Sequence, residues 1–171
     1  MQLSSTGVFR AKWSRQVMDE LRAVLIDRLD KPAAKVDRMM TLMVEHASDP
    51  LVEGFEPTMS GLVLPDPDDR HVLAAAIHAN ADVIVTCNLK HFPNAVLQPL
   101  GIEAQHPDEF VANLLDLHPA TVVASVNIIL KRLKTPPMSP TELLDIYHRC
   151  QLVHTAVELR EFFGDDTSQD A

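Results

Sequence analysis

The stretch LVLPDPDDRHVLAAAIHANADVIVTCNLKHF, residues 62–92, decides the fold prediction for this chain. Short runs rich in leucine, valine and isoleucine flank a segment whose apolar residues recur at helical spacing: Val72, Leu73, Ala76 and Ile77. The order strand, acidic turn, helix, strand and polar loop predicts two parallel strands joined by a right-handed crossover. We therefore expect an α/β fold with a parallel sheet.

The acidic turn of this stretch falls where a ligand site is expected. Asp66, Asp68 and Asp69 follow the first predicted strand, and Asn88 follows the second. Ligands of open α/β sheets bind at the carboxyl ends of the strands. Crowded carboxylates repel one another unless a cation neutralises them, and Mg²⁺ prefers such oxygen ligands. A structural interpretation competes, because aspartate and proline also stabilise a helix start, and Asn88 can be a plain turn residue.

Basic residues bracket the acidic turn and the polar loop. Arg70 and His71 follow the turn, whereas Lys90 and His91 lie in the loop. Such a rim could guide an anionic phosphodiester toward a metal, or it could be ordinary solvated surface. The pattern leaves both interpretations open.

Composition and charge narrow the function classes. The 171 residues carry a net charge of −9 at pH 7, which argues against a general basic coat for nucleic acid and suits a local, metal-bridged contact or a basic partner protein. The histidines lack zinc-site spacing, and no glycine-rich phosphate loop is present. Two cysteines are too few for a disulfide framework, which fits a reducing compartment, and no apolar run approaches about 20 residues. The amino terminus also lacks the apolar core of a signal peptide, so we expect a cytoplasmic protein.

Helices are predicted on both sides of the central stretch. Ser14 is the expected N-cap of a helix that runs to about Leu29, after a short edge strand in residues 7–14. Glu20 lies one residue off the apolar stripe of that helix, so it should flank the buried face; the plain alternative is a solvated helix residue. A second helix, residues 33–47, has a methionine-rich face that predicts core.

After His118 the chain changes from alternating strands and helices to helices only. One helix begins with the capping box Ser139-Pro-Thr-Glu142, and a final helix is predicted to stop at Gly164. The acidic residues that follow are expected to be disordered.

The motifs LPDPDDRHVLAAAI and ADVIVTCNLKHFP strongly resemble the core of PIN-domain proteins, in the branch of VapC-type toxins. GVFRAKWS with the helix that carries Glu20 matches the preceding part of that family, and GIEAQHPDEF matches its end. The later helices resemble the C-terminal extension of one VapC subgroup. The resemblance therefore predicts a PIN-like domain over residues 1–116, a helical extension over 117–163 and a tail over 164–171.

The resemblance implies a three-layer α/β/α parallel sheet and an endoribonuclease that depends on Mg²⁺ or Mn²⁺, the toxin of a VapBC-type toxin–antitoxin pair. Carried over by position, Glu20 and Asp69 are the catalytic acids, and Asp66 and Asn88 join them as metal ligands. The expected substrate contacts are Arg70, His71, Lys90 and His91. The implied partners are RNA, a cognate antitoxin and a second copy of the chain, with no membrane.

The sequence departs from the family pattern at two places. Asn88 stands where many members have an aspartate, and its amide adds no negative charge. Members also begin with a central apolar strand that ends in a catalytic aspartate, and this sequence has no such strand. We expect either two exposed strand edges or neighbours that close up. The alternative function is therefore an inactive PIN remnant that acts as a protein-binding module.

Overall fold

A computed structural model describes residues 2–164 of the chain, which form two compact units. The first unit contains Leu3–Gln105, and the second contains the residues from His106 onward. The predicted acidic tail lies almost entirely outside the described residues. Each unit has its own buried residues and is described separately.

Four short strands lie in the described part of the first unit, and all of them pair in parallel. Strand β1 (Trp13–Ser14) pairs with β2 (Leu51–Val52), and β3 (Val83–Val85) pairs with β4 (Glu103–Gln105). Within residues 2–164 no strand joins the two pairs. The α/β class with parallel strands is confirmed. The sheet is therefore split into two pairs that are not hydrogen-bonded to each other.

The helices of the first unit follow the predicted order. They are α1 (Arg15–Ala23), α2 (Ala33–Glu45), α3 (Glu56–Met59), α4 (Arg70–His78) and α5 (Asn94–Leu97). The Ser14 hydroxyl accepts a hydrogen bond from the Val17 amide at 3.1 Å, so the predicted N-cap is confirmed. A π-helical turn, Val24–Arg28, continues α1 toward Leu29.

The prediction of a strand before the acidic turn was wrong. Residues 62–65 contain no strand, although Leu64 is buried and its neighbour Val63 is 81% exposed. The alternation of buried and exposed residues that predicts a strand here arises because the Leu64 side chain enters the core. The segment itself pairs with no strand. Strand β3 pairs with β4 instead, so the parallel crossover comes after α4.

The methionine-rich face of α2 is core only in part. Val36 and Met43 are buried, whereas Met39 and Met40 are partly exposed. The periodicity of α2 is real, but periodicity cannot say how much neighbouring structure covers a helix face. The segment predicted as a loop after α2 also contains β2 and α3.

The core of the first unit fixes the start of α4. Leu73 is fully buried and packs in a cluster with Leu64, before the acidic turn, and with Ile84 and Phe92, on either side of the polar loop. The acidic turn and the polar loop are therefore held by the same apolar cluster.

The second unit consists of helices in the described residues. They are α6 (Pro107–Leu117), α7 (Pro119–Arg132), α8 (Pro140–Arg149) and α9 (Val153–Phe163). The capping box of Ser139 and Glu142 is confirmed at the start of α8. Helix α6, which the sequence places in the first domain, lies in this unit; the predicted boundary after residue 116 stays a prediction.

No single helix within residues 2–164 is long and apolar enough to cross a membrane. By length and composition, only the pair of α6 and α7, bent by 118°, would qualify together.

Candidate metal centre

Asp66, Asp69 and His91 form the one cluster in the described part of the chain whose histidine and carboxylate groups could jointly hold a metal ion. One ligand atom from each residue lies within 4.8 Å of the others. The His91 Nδ1 atom lies 2.6 Å from Asp69 Oδ2 and 3.5 Å from Asp66 Oδ2. The three side chains are partly exposed, at 39% for Asp66, 27% for Asp69 and 23% for His91, so an ion could reach them from solvent.

Asp66 fits both the helix-cap and the metal-site interpretation of the acidic turn, because its two carboxylate oxygens make different contacts. Its Oδ1 atom accepts a hydrogen bond from the Asp68 amide at 3.0 Å and so caps the 3-10 turn Pro67–Asp69. Its Oδ2 atom is the one that faces His91. Asp68 is exposed and lies outside the cluster. The structure thus distinguishes Asp66 from Asp68, which the sequence could not.

The polar loop brings His91 to the acidic turn. Asn88 begins a 3-10 turn, Leu89–His91, in which the His91 amide donates to the Asn88 carbonyl at 2.9 Å. The backbone amide of Asn88 donates to Thr86 Oγ1 at 3.0 Å. Phe92, the residue after His91, is only 3% exposed. Asn88, predicted as a metal ligand, is exposed and helps to form this turn through its backbone. Its side chain as a ligand stays a prediction.

Glu20 lies beside the start of α4 but outside the cluster. Its Oε1 atom is 3.2 Å from His71 Nε2, and Gln16 Nε2 donates to the same oxygen at 3.2 Å. Glu20 is exposed, at 56%, so its predicted place beside the buried face and the alternative of a solvated helix residue both stay open. His71 follows Asp69 by two residues, so this contact connects α1 to the turn that carries the cluster.

Only two of the four predicted rim residues are surface cations in the structure. Arg70 donates from Nε to the Pro67 carbonyl at 2.9 Å, and Lys90 is exposed. His71 is only 2% exposed, so it lies in the interior and not on the rim. His91 faces the acids. Arg70 and Lys90 therefore remain as the surface cations of the predicted set.

The sequence pattern predicts neither the burial of His71 nor the contact of His91 with the acids. It places both histidines among the basic residues that bracket the acidic turn and the polar loop. The available signal for His91 was its position three residues after Asn88, since one short helical turn can return such a residue toward the strand end. For His71 the signal was its place beside the apolar stripe of α4.

The donor atoms fit a divalent cation. Ligands about 2.1 Å from an octahedral ion lie about 3 Å from one another, close to the separations measured from His91 Nδ1. Three protein donors would leave further positions for water or a phosphate oxygen. An ion held in this way could activate a water molecule or polarise a phosphate oxygen.

The fold and this cluster define an α/β protein with an acidic centre of the kind that holds divalent metals. The chain belongs to the PIN domain family, whose defining sequence pattern matches residues 1–90. Residues 107–161 match a second pattern, described as the VapC50 C-terminal domain, and this match lies within the second compact unit. The resemblance to VapC-type PIN proteins is confirmed.

One similar protein is "Putative ribonuclease VapC50" of Mycobacterium tuberculosis (strain ATCC 25618 / H37Rv), which is 43% identical over 95 residues. The aligned region spans 56% of this chain and 56% of the relative. No solved structure matches the chain.

Proposed function

We propose that this protein is an endoribonuclease of the VapC type that hydrolyses RNA phosphodiesters with a bound divalent cation, Mg²⁺ or Mn²⁺. The observation that carries the proposal is the convergence of Asp66, Asp69 and His91 at the start of α4 in a PIN-family chain. The printed name of the relative supports the ribonuclease assignment.

The position of each residue suggests its role in the proposed reaction. Asp66 and Asp69 would hold the ion, and Asn88 can contribute its amide oxygen or order a water molecule. A divalent cation bound there would polarise the phosphate and lower the pKa of the attacking water. Glu20, held by His71, keeps an exposed carboxylate that can accept a proton beside the site.

Arg70 and Lys90 are proposed to contact the RNA backbone. Both flank the cluster in sequence, Arg70 after Asp69 and Lys90 before His91. Their positive charge would offset the repulsion between a polyanion and a chain with a net charge of −9. A cognate antitoxin, a second copy of the chain and a cytoplasmic location belong to the same proposal, and the two exposed, unpaired cysteines are compatible with a reducing compartment.

The first experiment compares Asp69→Asn with Asp68→Asn on a mixed-sequence oligoribonucleotide in added Mg²⁺ or Mn²⁺. Asp69→Asn removes a charge from the cluster and should abolish cleavage. Asp68→Asn removes the same charge one residue away and should leave cleavage close to the wild-type rate. Chelation with EDTA should stop the wild-type reaction. Unchanged cleavage by Asp69→Asn would rule out the assignment.

A second candidate function is a non-catalytic binding module. It is favoured by the 2.6 Å contact between His91 and Asp69, because a hydrogen-bonded pair of this kind is stable without a metal. Under this alternative, wild-type protein cleaves no RNA in any added divalent ion, and Asp69→Asn changes nothing except local stability.

A further inference from the structure

We infer that the His91 imidazole is itself a metal ligand and makes the centre prefer first-row transition ions, such as Mn²⁺ and Co²⁺, over Mg²⁺. This rests on the metal-dependent function proposed above and concerns which ion that function uses. The sequence alone suggested oxygen ligands for this centre. The structure adds a nitrogen atom to the set.

Two carboxylate oxygens converge on one ring nitrogen. A hydrogen bond from Nδ1 to Asp69 Oδ2, at 2.6 Å, would be enough to satisfy that nitrogen. The approach of Asp66 Oδ2 to within 3.5 Å of the same atom is not needed for that bond. Three donor atoms that lie within 4.8 Å of one another are close enough to bind one ion together.

The position of His91 is held by its surroundings. The ring is 23% exposed, and its backbone closes the turn that Asn88 begins. Phe92, the next residue, lies in the apolar cluster with Leu73. A ligand held in this way loses little conformational freedom when it binds an ion, which favours a specific role.

The ligand atoms of the centre, two carboxylate oxygens and one imidazole nitrogen, determine which metal ion it prefers. Mg²⁺ is a hard ion that takes oxygen ligands and keeps much of its water. Imidazole nitrogen binds first-row transition ions well, with an affinity that rises from Mn²⁺ through Co²⁺ to Ni²⁺. A centre with two carboxylates and one imidazole should therefore discriminate against Mg²⁺, whereas a centre with carboxylates alone should do so much less.

The test measures binding and does not require cleavage. Full-length protein without a histidine tag is titrated calorimetrically with MgCl₂, MnCl₂ and CoCl₂ in the absence of RNA. Wild-type protein should bind Co²⁺ and Mn²⁺ at least about tenfold more tightly than Mg²⁺, with the larger ratio for Co²⁺. The visible absorption of bound Co²⁺ gives a second readout, because it changes when nitrogen is replaced by oxygen among the ligands.

The decisive variant is His91→Asp, which converts the centre to oxygen ligands. We expect the ratio of Co²⁺ to Mg²⁺ affinity to fall by about tenfold or more, and the Co²⁺ spectrum to change. His91→Asn, which leaves the charge of the two acids unaltered, should lower the ratio as well. His148→Asp is the matched control, because His148 is exposed on α8 and away from the cluster residues in sequence.

The outcomes separate this inference from the proposed function. If His91→Asp and His91→Asn keep the wild-type ratio while Asp69→Asn loses the ion, the inference is overturned and the metal-dependent function stands. If wild-type protein binds none of the three ions, both fail. Circular dichroism of each variant confirms that it is folded before its binding is compared.

Discussion

At the scale of single residues, His71 is the side chain whose burial is hardest to explain by stability alone. Its Nε2 atom contacts Glu20 at 3.2 Å, but its Nδ1 atom is buried and has no partner among the described residues. A buried polar atom without a hydrogen bond costs about 1–3 kcal/mol. We propose that the contact with His71 positions Glu20, an exposed acid that the family resemblance implies is catalytic.

We expect His71→Leu to leave the free energy of unfolding within about 1 kcal/mol of wild type, because leucine fills the site without an unpartnered nitrogen. His71→Ala should cost about 2–4 kcal/mol, because it leaves a cavity. Urea denaturation followed by circular dichroism measures both. RNA cleavage should fall in both variants, because Glu20 loses its partner.

His71→Gln is the rescue variant, since its amide can still donate to Glu20. It should retain more cleavage than His71→Leu. If His71→Leu is as destabilised as His71→Ala, the contact with Glu20 supports the fold and not the site.

At the scale of elements, α6 supplies the cap that α9 lacks. The residue before α9, Leu152, makes no side-chain cap. Instead Asp108, in the first turn of α6, accepts hydrogen bonds from the amides of His154 at 2.8 Å and Thr155 at 2.9 Å. The Thr155 hydroxyl also donates to the Asp108 carbonyl at 3.1 Å. One carboxylate therefore ties together two helices that are far apart in sequence.

The pH dependence of this cap follows from the charge on Asp108. Burial alone would raise its pKa, but the hydrogen bonds from Thr155 and His154 outweigh burial and lower the pKa below the usual 3.8. Because the folded-state pKa is the lower one, Asp108 stabilises the fold above about pH 4. That contribution is lost as the pH falls through the folded-state value.

We expect Asp108→Ala to lower the free energy of unfolding by about 1–3 kcal/mol at pH 7, because two amides at the start of α9 lose their acceptor. The difference from wild type should shrink at pH 3. Asp116→Ala, an exposed aspartate on the same helix, is the control and should have little effect. Denaturation at the two pH values checks this, and an undiminished difference at pH 3 would contradict the role of the charged carboxylate.

At the scale of the whole molecule, the net charge of −9 limits how RNA can bind. Binding that uses many lysine and arginine contacts releases many counterions and weakens steeply with salt. Here the surface cations proposed to contact RNA are Arg70 and Lys90. Most of the attraction to the phosphate must then come through the bound cation.

We expect the logarithm of RNA affinity to fall with the logarithm of salt concentration with a slope no steeper than about −1.5, since each phosphate contact contributes about −0.7 for single strands. Fluorescence anisotropy of wild-type protein in Mg²⁺ measures the slope, with a labelled single-stranded oligoribonucleotide whose phosphorothioate linkages keep the backbone charge and resist cleavage. Lys90→Ala should reduce its magnitude by about 0.7.

Lys35→Ala, an exposed lysine on α2, is the control for this measurement and should leave the slope unchanged. A steep slope that Lys90→Ala does not alter would place the RNA contacts elsewhere, for example at Lys131 and Arg132 at the end of α7.

The sequence by itself determined the class of fold, the order of the helices, the cap at Ser14 and the capping box at Ser139. These are local features, fixed by periodicity and by side chains within one turn of the groups that they contact. It also identified the acidic turn, and the family resemblance singled out Asp69.

The tertiary structure decided what depends on partners distant in sequence. It showed that the segment before the acidic turn is not a strand, because pairing needs a neighbour and β3 pairs with β4. It moved His71 into the interior and His91 to the acids, because a shared apolar core holds the polar loop against the start of α4. The acids of the centre can therefore be found in the sequence, but its nitrogen ligand depends on a fold that brings together residues 22 positions apart.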